Sequence, residues 1–598
     1  MGQRGERAVA KGFSGESLKP YTIRGMWSRW QELFWRNLRL NTLAILVGTI
    51  AGFGAILFRW FIYFVGDLSF HQVLSRTYIP PVEHHLGYWV VLVPAAGGLL
   101  VGLITRYFAP ETKGHGVPEV MAAVATQGGR IRPRVALAKI LASGICIGSG
   151  GSAGREGPIV QIGSAFGSTV GQFLRLPPSE LKVLVGCGAS AGIAATFNAP
   201  LAGVLFSVEL ILVELRTRSF VPLVIATTFA TIVSRSFLGS QPAFVIPSYS
   251  LRSPWELPLY LALGLGAALV AIAETRALYK AEDLFEKLPL PRFLLPAVGG
   301  LLLGGLSLAT PQVLGVGYET VDRILSGEWG PSWDLLGFLL GLAVAKILAL
   351  SLTLGSGGSG GVFAPSLFIG AAFGGAFGVA ANLLFPGIAA PYSAYALVGM
   401  AAVFAAAGRA TLTSIVMLFE MTRNYNIILP LMFACVVADV VAWLIQRETI
   451  YTLKLVRRGV KLAPEMEINW LRVHTVSDVM RRSVETVPAT ATVAEVRDKM
   501  LTSGHPSLPV VDKEGKLLGI VTHREILKAL RDDPQRPVGE VAVRRVVVAY
   551  PDEPLDAIWE RIRRSGVGRL PVVDRRDHRH LVGFVSVADI VSRIGWGE

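Results

Sequence analysis

The chain has 598 residues, of which 52% are hydrophobic and only 17% are charged. A soluble protein of this length cannot bury so large an apolar share, so the composition indicates a membrane protein and argues against a soluble enzyme. The apolar excess lies before about residue 445, and the rest of the chain has the composition of a soluble domain. The three cysteines lie in apolar stretches and are expected to be small buried hydrophobes.

The net charge of +14 is consistent with binding to nucleic acid or with a basic cytoplasmic surface. Basic residues outnumber acidic ones in residues 1–37, and Trp27 and Trp30 alternate there with arginines. This pattern is typical of a cytoplasmic segment with a helix at the membrane interface. We therefore predict no nucleic-acid partner and cytoplasmic N and C termini in the cell membrane.

The apolar stretches do not all have the length of a membrane helix. The candidates are 40–65, 87–107, 135–147, 157–174, 181–215, 219–238, 255–280, 294–309, 333–353, 362–385, 394–421 and 427–446. A spanning helix needs about 20 residues, so 135–147 and 157–174 are predicted to be parts of a helix broken at a Gly/Ser loop inside the bilayer.

The membrane part contains an internal repeat. Aligned at an offset of 207, residues 138–158 and 345–365 are identical at 12 of 21 positions. Both copies contain Gly-Ser-Gly-Gly-Ser, and Lys139 and Lys346 are equivalent. These lysines would add positive potential to an anion path or extend to an interface. Two halves, each with a helix broken at the same place, are typical of a transporter whose substrate site lies between repeats.

A second repeat occupies the end of the chain. Leu508–Asp512 followed by Leu518–Thr522 recurs as Leu570–Asp574 followed by Leu581–Ser586. The Val-rich runs predict strands, and the segments before them have helical periodicity. The sequence thus predicts two similar α/β modules after the membrane part.

Three Gly-rich breaks each lead directly into an apolar helix: Gly114–Pro118, Gly154–Pro158 and Gly361–Pro365. Proline in the first turn, preceded by glycine, favours a helix start. The free N–H groups of several converging helix starts would bind a small dehydrated anion. A structural interpretation, breaks that only permit close helix packing, is weaker because there are three breaks and one context is duplicated.

Glu156 lies at the centre of one of these helix starts. Its carboxylate is an anion that fits the same pocket, so it can compete with the substrate and leave when protonated. The alternatives are a carboxylate that stabilises its own helix or one that pairs with Arg155. The membrane depth favours the functional interpretation.

These residues resemble the CLC family of chloride channels and proton-coupled chloride exchangers, with a C-terminal pair of CBS modules. Gly154–Pro158 is similar to the gating motif, Gly361–Pro365 to the third anion-binding loop, and Asn198–Gly203 to the helix entry that follows. The resemblance implies a mostly α, multi-pass membrane fold of inverted repeats, followed by the α/β CBS pair. It also implies a homodimer with one pore per subunit.

The resemblance assigns a gating and proton role to Glu156. The residues that it assigns to anion binding are His115, Gly116, Arg155, Gly157, Val362, Phe363 and Tyr451. In CBS pairs, the positions of Thr522, Glu525, Ser586 and Asp589 hold an adenine nucleotide, although Glu525 is longer than the usual acid. Nucleotide binding and a ligand-free dimerising platform are both open. No cofactor, metal or catalytic residue is expected to be required.

Two positions depart from the family pattern. His115 replaces the usual serine, and its imidazole would either donate a hydrogen bond to the anion or turn away while backbone amides bind. Leu210 replaces the internal proton-transfer acid beside Glu209, which the family uses mainly structurally. Leucine cannot carry a proton, so passive conduction is favoured over proton-coupled exchange, and water or His115 would be alternative proton routes.

The predicted domains are a basic and interfacial segment (1–37), the membrane domain (38–460), a linker (461–473), and two CBS modules (474–532 and 533–598). The predicted function is transport of chloride or a related small anion. The closest alternative is a proton-coupled anion exchanger. A CBS-regulated divalent-cation transporter is more distant, because it would need carboxylates in the pore.

Overall fold

A computed structural model describes residues 23–71, 86–213, 217–244, 246–247, 249, 253–460, 471 and 474–593. The chain divides into two compact units, Met1–Lys461 and Leu462–Glu598. The predicted basic tail before residue 23 and nearly all of the predicted linker 461–473 lie outside the described residues. The side chains of the predicted interfacial helix, Trp27 and Trp30 among them, also lie outside them.

In the described residues of the first unit, the regular elements are all helices. In chain order its helices are α1 (Ile23–Gly66), α2 (Leu92–Tyr107), α3 (Val117–Thr126), α4 (Arg134–Gly148), α5 (Glu156–Phe173), α6 (Pro178–Phe197), α7 (Pro200–Phe206), α8 (Thr217–Leu238), α9 (Leu257–Glu286), α10 (Leu295–Ala309), α11 (Tyr318–Ser326), α12 (Trp333–Gly355), α13 (Phe363–Leu384), α14 (Tyr392–Gly408), α15 (Thr411–Thr422), α16 (Ile428–Ile445) and α17 (Thr452–Arg457). Short turns of π or 3₁₀ helix extend α1 and α7 and precede α2 and α9.

Eight helical segments in the described part of the chain are long and apolar enough to cross a membrane. They are Asn37–His71, Gly87–Tyr107, Pro178–Phe197, Ser219–Leu238, Pro254–Glu286, Trp333–Gly355, Phe363–Leu384 and Ile428–Ile445. Several further apolar helices are shorter, including α3 and α15. The predicted break is confirmed, because α4 ends at Gly148 and α5 begins at Glu156.

The two halves pack their helices in the same way. In the first half α5 crosses α6 at Gly163 and Gly188, where a Cβ on either glycine would lie about 2 Å from the carbonyl oxygen of the other (2.1 and 1.9 Å). In the second half α13 crosses α14 at Gly370 and Gly399, with both distances 2.5 Å. Only glycine permits this backbone contact, which explains the placement of these glycines in apolar helices.

The repeated lysines support these halves from within. Lys139 and Lys346 are both fully buried, so neither extends to an interface. Lys139 Nζ donates to the carbonyls of Thr112 (2.9 Å) and Gly114 (2.8 Å). Lys346 Nζ donates to those of Val313 and Gly315, both at 3.0 Å. Each lysine therefore holds the loop that precedes a helix start.

The second unit contains the two predicted α/β modules. Its elements are α18 (Val476–Val479), β1 (Val487–Pro488), α19 (Val493–Ser503), β2 (Ser507–Val511), β3 (Leu517–Thr522), α20 (His523–Asp532), α21 (Val538–Val541), α22 (Leu555–Ser565), β4 (Arg569–Val573), β5 (Leu581–Ser586) and α23 (Val587–Arg593). Strand β2 pairs parallel with β1 and antiparallel with β3, and β4 pairs antiparallel with β5.

The two modules exchange their first helices. Val476 and Val479 of α18 are buried in the core of the second repeat, with Leu570 and Val585. Val538 of α21 is buried in the core of the first repeat. Each module therefore depends on the other for part of its apolar core, so the pair is expected to fold as one body.

We predict that Lys346→Met destabilises the membrane unit. The change leaves the buried carbonyls of Val313 and Gly315 without their donor, at a cost of about 1–3 kcal/mol for each unpaired group. The midpoint of thermal unfolding in detergent should fall well below that of Lys280→Met, which alters an exposed lysine. Equal midpoints for the two variants would contradict a stabilising role for the hydrogen bonds of Lys346.

Candidate functional site

The two repeat-equivalent loops meet at the start of α5 and α13. Gly154 N–H donates to Gly361 O (2.7 Å), and Gly361 N–H donates to Gly154 O (2.6 Å). Residues that are equivalent by the offset of 207 thus form an antiparallel bridge. Reciprocal pairing of equivalent residues is what a local two-fold axis produces, so the repeats are inverted in chain direction at this point.

The start of α3 joins the same cluster. Gly114 N–H donates to Gly358 O (2.9 Å), which connects the first loop, before α3, to the second-half loop before α13. Gly157 in the first turn of α5 lies against His115, whose carbonyl oxygen would be 2.1 Å from a Cβ at position 157. The absence of that side chain lets the N-termini of α3, α5 and α13 approach one another, and the first N–H groups of a helix have no partner within their own helix.

Glu156 is 1% exposed and lies inside this cluster. Its Oε1 accepts a hydrogen bond from the Tyr318 hydroxyl at 2.7 Å. Its Oε2 faces Gly154. A Cβ atom added at Gly154 would lie 2.2 Å from Glu156 Oε2 and 3.1 Å from the backbone N of Ala364. The carboxylate therefore occupies the position between the N-termini of α5 and α13 that a bound anion would take.

Arginine and tyrosine side chains surround the outer face of this carboxylate. Arg155 Nε lies 4.0 Å from Glu156 Oε1, and its guanidinium stands 5.6 Å from the Tyr318 ring centre. On α1, Arg59 Nε donates to the Tyr63 hydroxyl at 2.8 Å, and Tyr63 also contacts Arg155 electrostatically. Arg155 is thus held among aromatic rings, with only a long ion pair to Glu156.

The sequence motifs named above do not include Tyr318. The signal that points to it is a third repeated element, because Gly114-His-Gly-Val117 and Gly315-Val-Gly-Tyr318 share a Gly-x-Gly pattern. Both segments precede a helix start and both are held by a repeated lysine. The hydroxyl partner of Glu156 therefore comes from the second-half counterpart of the first loop.

His115 is 4% exposed, and its ring centre lies 6.0 Å from that of Tyr451. Among the described residues, its Nδ1 has no hydrogen-bond partner. The nearby positive groups are Lys139 and Lys454, the latter with its Nζ 3.5 Å from Glu119. A buried polar nitrogen without a protein partner, beside two ammonium groups, suits a negatively charged ligand.

Tyr451 and Phe363 complete the inner side of the cluster. Tyr451 is 1% exposed at the start of α17. The Phe363 ring packs edge-on against Phe404 at 4.3 Å and lies 5.2 Å from Phe197. This packing fixes the backbone at the start of α13, where Phe363 is the first residue of the helix and Val362 is the residue before it.

Leu210 is 5% exposed, so the structure has a buried apolar side chain at this position. Its neighbour Glu209 accepts hydrogen bonds from the N–H groups of Leu412 (3.0 Å) and Thr413 (2.8 Å) at the start of α15. Glu420 accepts from Leu201 and Ala202 at the start of α7 in the same manner. Both acids cap helices reciprocally, which agrees with a structural role for Glu209.

In the second unit the predicted nucleotide positions form two capping boxes. Thr522 and Glu525 hydrogen-bond each other at the start of α20. Ser586 Oγ donates to Asp589 Oδ2 at 2.5 Å, and Arg481 Nε donates to Asp589 Oδ1 at 2.7 Å. The hydroxyl and acid of each pair are therefore near one another, while Asp589 is already paired with an arginine.

Comparison with known families gives two matches. The sequence profile of the voltage gated chloride channel family matches residues 97–443. The profile of the CBS domain matches residues 476–532 and 538–595. The matched ranges cover the helix starts described above and both α/β modules.

Relatives of this chain include proteins named as chloride channels and proteins named as proton/chloride exchangers. Chloride channel protein CLC-f of Arabidopsis thaliana is 31% identical over an alignment of 568 positions, which covers 82% of this chain and 71% of that protein. The H(+)/Cl(-) exchange transporter ClcA of Vibrio parahaemolyticus is 33% identical over an alignment of 435 positions, which covers 70% of this chain and 89% of that protein.

Solved structures show the same fold. A slow cyanobacterial Cl−/H+ antiporter is 30% identical, with a TM-score of 0.62 over 71% of this chain and 98% of that chain. A eukaryotic CLC transporter is 22% identical, with a TM-score of 0.59 over 92% of this chain and 98% of that chain. The second likeness concerns the fold alone.

Proposed function

Because the chain belongs to the family of voltage gated chloride channels, an anion-transport family, we propose that it is a Glu156-gated passive chloride channel. The single observation that carries the gate is the Glu156 carboxylate itself, which is 1% exposed between the starts of α5 and α13. A carboxylate at that position blocks the anion path, and an anion passes when the side chain leaves.

The anion pathway is built from backbone N–H groups and polar side chains. The proposed ligands are those named from the sequence: His115, Gly116, Arg155, Gly157, Val362, Phe363 and Tyr451. The first-turn N–H groups of α3, α5 and α13 offer positive potential without a full charge, so the anion is held and also released. His115 replaces a hydroxyl with an imidazole, and we propose that this change alters selectivity among small anions.

Passive conduction is favoured by Leu210. The position at which exchangers carry an internal acid has a buried apolar side chain, so a proton cannot reach Glu156 through it. The second candidate is proton-coupled exchange. It is supported by the relative named as an exchanger at 33% identity and by a different buried carboxylate, Glu274, that lies inside the membrane unit.

The remaining assignments concern the assembly. We propose a homodimer in the cell membrane with both termini cytoplasmic, a basic and interfacial segment of residues 1–37, and a membrane domain of 38–460. The CBS modules, 474–532 and 533–598 after the linker 461–473, would modulate conduction. Binding of an adenine nucleotide at Thr522, Glu525, Ser586 and Asp589 requires that Arg481 share or release Asp589, since that pair is 2.7 Å apart.

The reversal potential separates the two candidate functions. In liposomes with a chloride gradient, passive conduction predicts a reversal potential that does not change when a pH gradient is imposed, since no proton crosses with the anion. The quantity measured is the membrane potential at which the net current or net chloride flux is zero, and liposomes without protein are the control. A shift of fixed proton-to-chloride ratio would contradict the channel and favour exchange.

Tyr318→Phe is expected to ease opening. Loss of the hydroxyl removes a hydrogen bond to a charged carboxylate, worth about 1.5–3 kcal/mol. Because that bond holds the ionised form of Glu156 in the pathway, the same flux should be reached at a lower proton concentration. We expect the midpoint of the flux-against-pH curve to move to higher pH by about one to two units.

The matched control for this variant is Glu156→Gln, which has no carboxylate to hold. Adding Tyr318→Phe to that background should leave flux and its pH dependence as they are in Glu156→Gln alone. An equal upward shift of the pH midpoint in both backgrounds would contradict action through Glu156. No shift in either background would contradict the proposal that this hydrogen bond holds the carboxylate in the pathway.

A further inference from the structure

A second carboxylate lies deep in the membrane unit, and the gate does not use it. Glu274 is in the middle of α9 and is fully buried. Its Oε2 has no hydrogen-bond partner in the part of the chain that the structure describes. It forms no ion pair with any described residue. A buried carboxylate without a cation is costly when ionised, so its protonation state must be linked to its surroundings.

Ser366 shows where a proton would reside. Its hydroxyl oxygen lies 2.7 Å from Glu274 Oε1 and 2.9 Å from Val362 O. A serine hydroxyl has one proton, so it cannot donate to both acceptors. Both contacts are satisfied if Glu274 carries a proton on Oε1 and donates it to Ser366, which then donates to Val362 O.

This chain of hydrogen bonds ends at the anion pathway. Val362 is the residue before α13, and its N–H belongs to the proposed anion site. Tyr451 lies close enough to feel the charges of both Glu274 and Glu156. Glu274, on α9, and Glu156 are therefore both within electrostatic range of Tyr451.

The groups packed around α9 do not neutralise Glu274. The neighbouring elements are the turn before α9, and helices α12, α14, α16 and α17 with the residue that precedes α17. Their titratable side chains are Glu256, Asp334, Lys346, Tyr392, Tyr395, Cys435, Asp439, Tyr451, Lys454 and Arg457. Lys346 is held by two carbonyls, and Arg457 pairs with Asp283 at 2.7 Å. On α9 itself the other titratable groups are Tyr260, Arg276, Tyr279, Lys280, Glu282, Asp283 and Glu286.

We propose that Glu274 is a proton-binding site coupled to anion occupancy of the neighbouring part of the pathway, beside Val362 and Tyr451. The inference rests on the proposed anion-transport function. With the proton bound, Glu274 is neutral and Ser366 donates to Val362. Without it, Ser366 donates to the carboxylate, and a negative charge faces the pathway and weakens anion binding.

The coupling must be reciprocal. If protonation of Glu274 strengthens anion binding, then anion binding strengthens proton binding by the same factor. Glu274 thereby provides an internal acid that position 210 lacks, at a different place in the fold. In a passive channel it sets how occupancy depends on pH, and in an exchanger it supplies the inner proton step.

The test is chloride binding to the full-length protein in detergent, measured by calorimetry between about pH 6 and about pH 9. Glu156→Gln is the background, because it removes the gate's own titration. Glu274→Gln is added to it, since glutamine is neutral and keeps a donor for Ser366. Glu256→Gln is the matched control, because Glu256 is also fully buried and precedes the same helix.

We expect chloride affinity of Glu156→Gln to fall about tenfold as pH rises over this range. Heats measured in buffers of different ionisation enthalpy should show proton uptake on chloride binding. Adding Glu274→Gln should remove both effects in large part, while adding Glu256→Gln should preserve them. If the glutamine variant does not fold, Glu274→Met, which is neutral and of similar volume, replaces it.

The outcomes distinguish the two levels of inference. Chloride binding whose pH dependence and proton uptake are the same with and without Glu274 would overturn the proton site and leave anion transport standing. An equal loss in the Glu256→Gln control would also overturn it, because the effect would then be general to buried acids. Absence of chloride binding at every pH in wild type would contradict the proposed function itself.

Discussion

Gly154 and Gly361 exchange two backbone hydrogen bonds where the two halves of the membrane unit meet. This bridge brings the starts of α5 and α13 together with their free N–H groups directed into one interior. A backbone donor in an apolar interior is costly without a partner, so such a cluster requires an anion or an anionic side chain. The Glu156 carboxylate occupies that position in this structure.

The surrounding structure maintains this arrangement by repeating each support in both halves. Lys139 and Lys346 hold the loops before α3 and α11 through pairs of backbone carbonyls. Glu209 and Glu420 cap the starts of α15 and α7 reciprocally. These charged side chains form hydrogen bonds with backbone groups, so they stabilise the broken helices. In the proposed function, the anion is bound by the helix starts and not by these side chains. The halves differ at Glu156, whose counterpart at the offset of 207 is Phe363, and the proposed gate depends on this difference.

Much of this could be predicted from sequence, because the repeat is local and the glycine spacing is explicit. The break between α4 and α5 and the two α/β modules follow from such patterns. Tyr318 and Glu274 were missed for a different reason. Each acts through a partner far along the chain, Glu156 or Ser366, and a single sequence does not show which buried side chains meet. The second-half Gly-x-Gly element was the one local clue to Tyr318.

Bromide, which scatters anomalously and replaces chloride, offers the most direct measurement. In crystals of wild type grown in bromide, we expect an anomalous peak beside His115 and Tyr451 and none at the position of the Glu156 carboxylate. In Glu156→Gln crystals, a further peak should appear between the first turns of α5 and α13. If neither protein shows bromide at these helix starts, a helix-terminus anion site gated by Glu156 is contradicted.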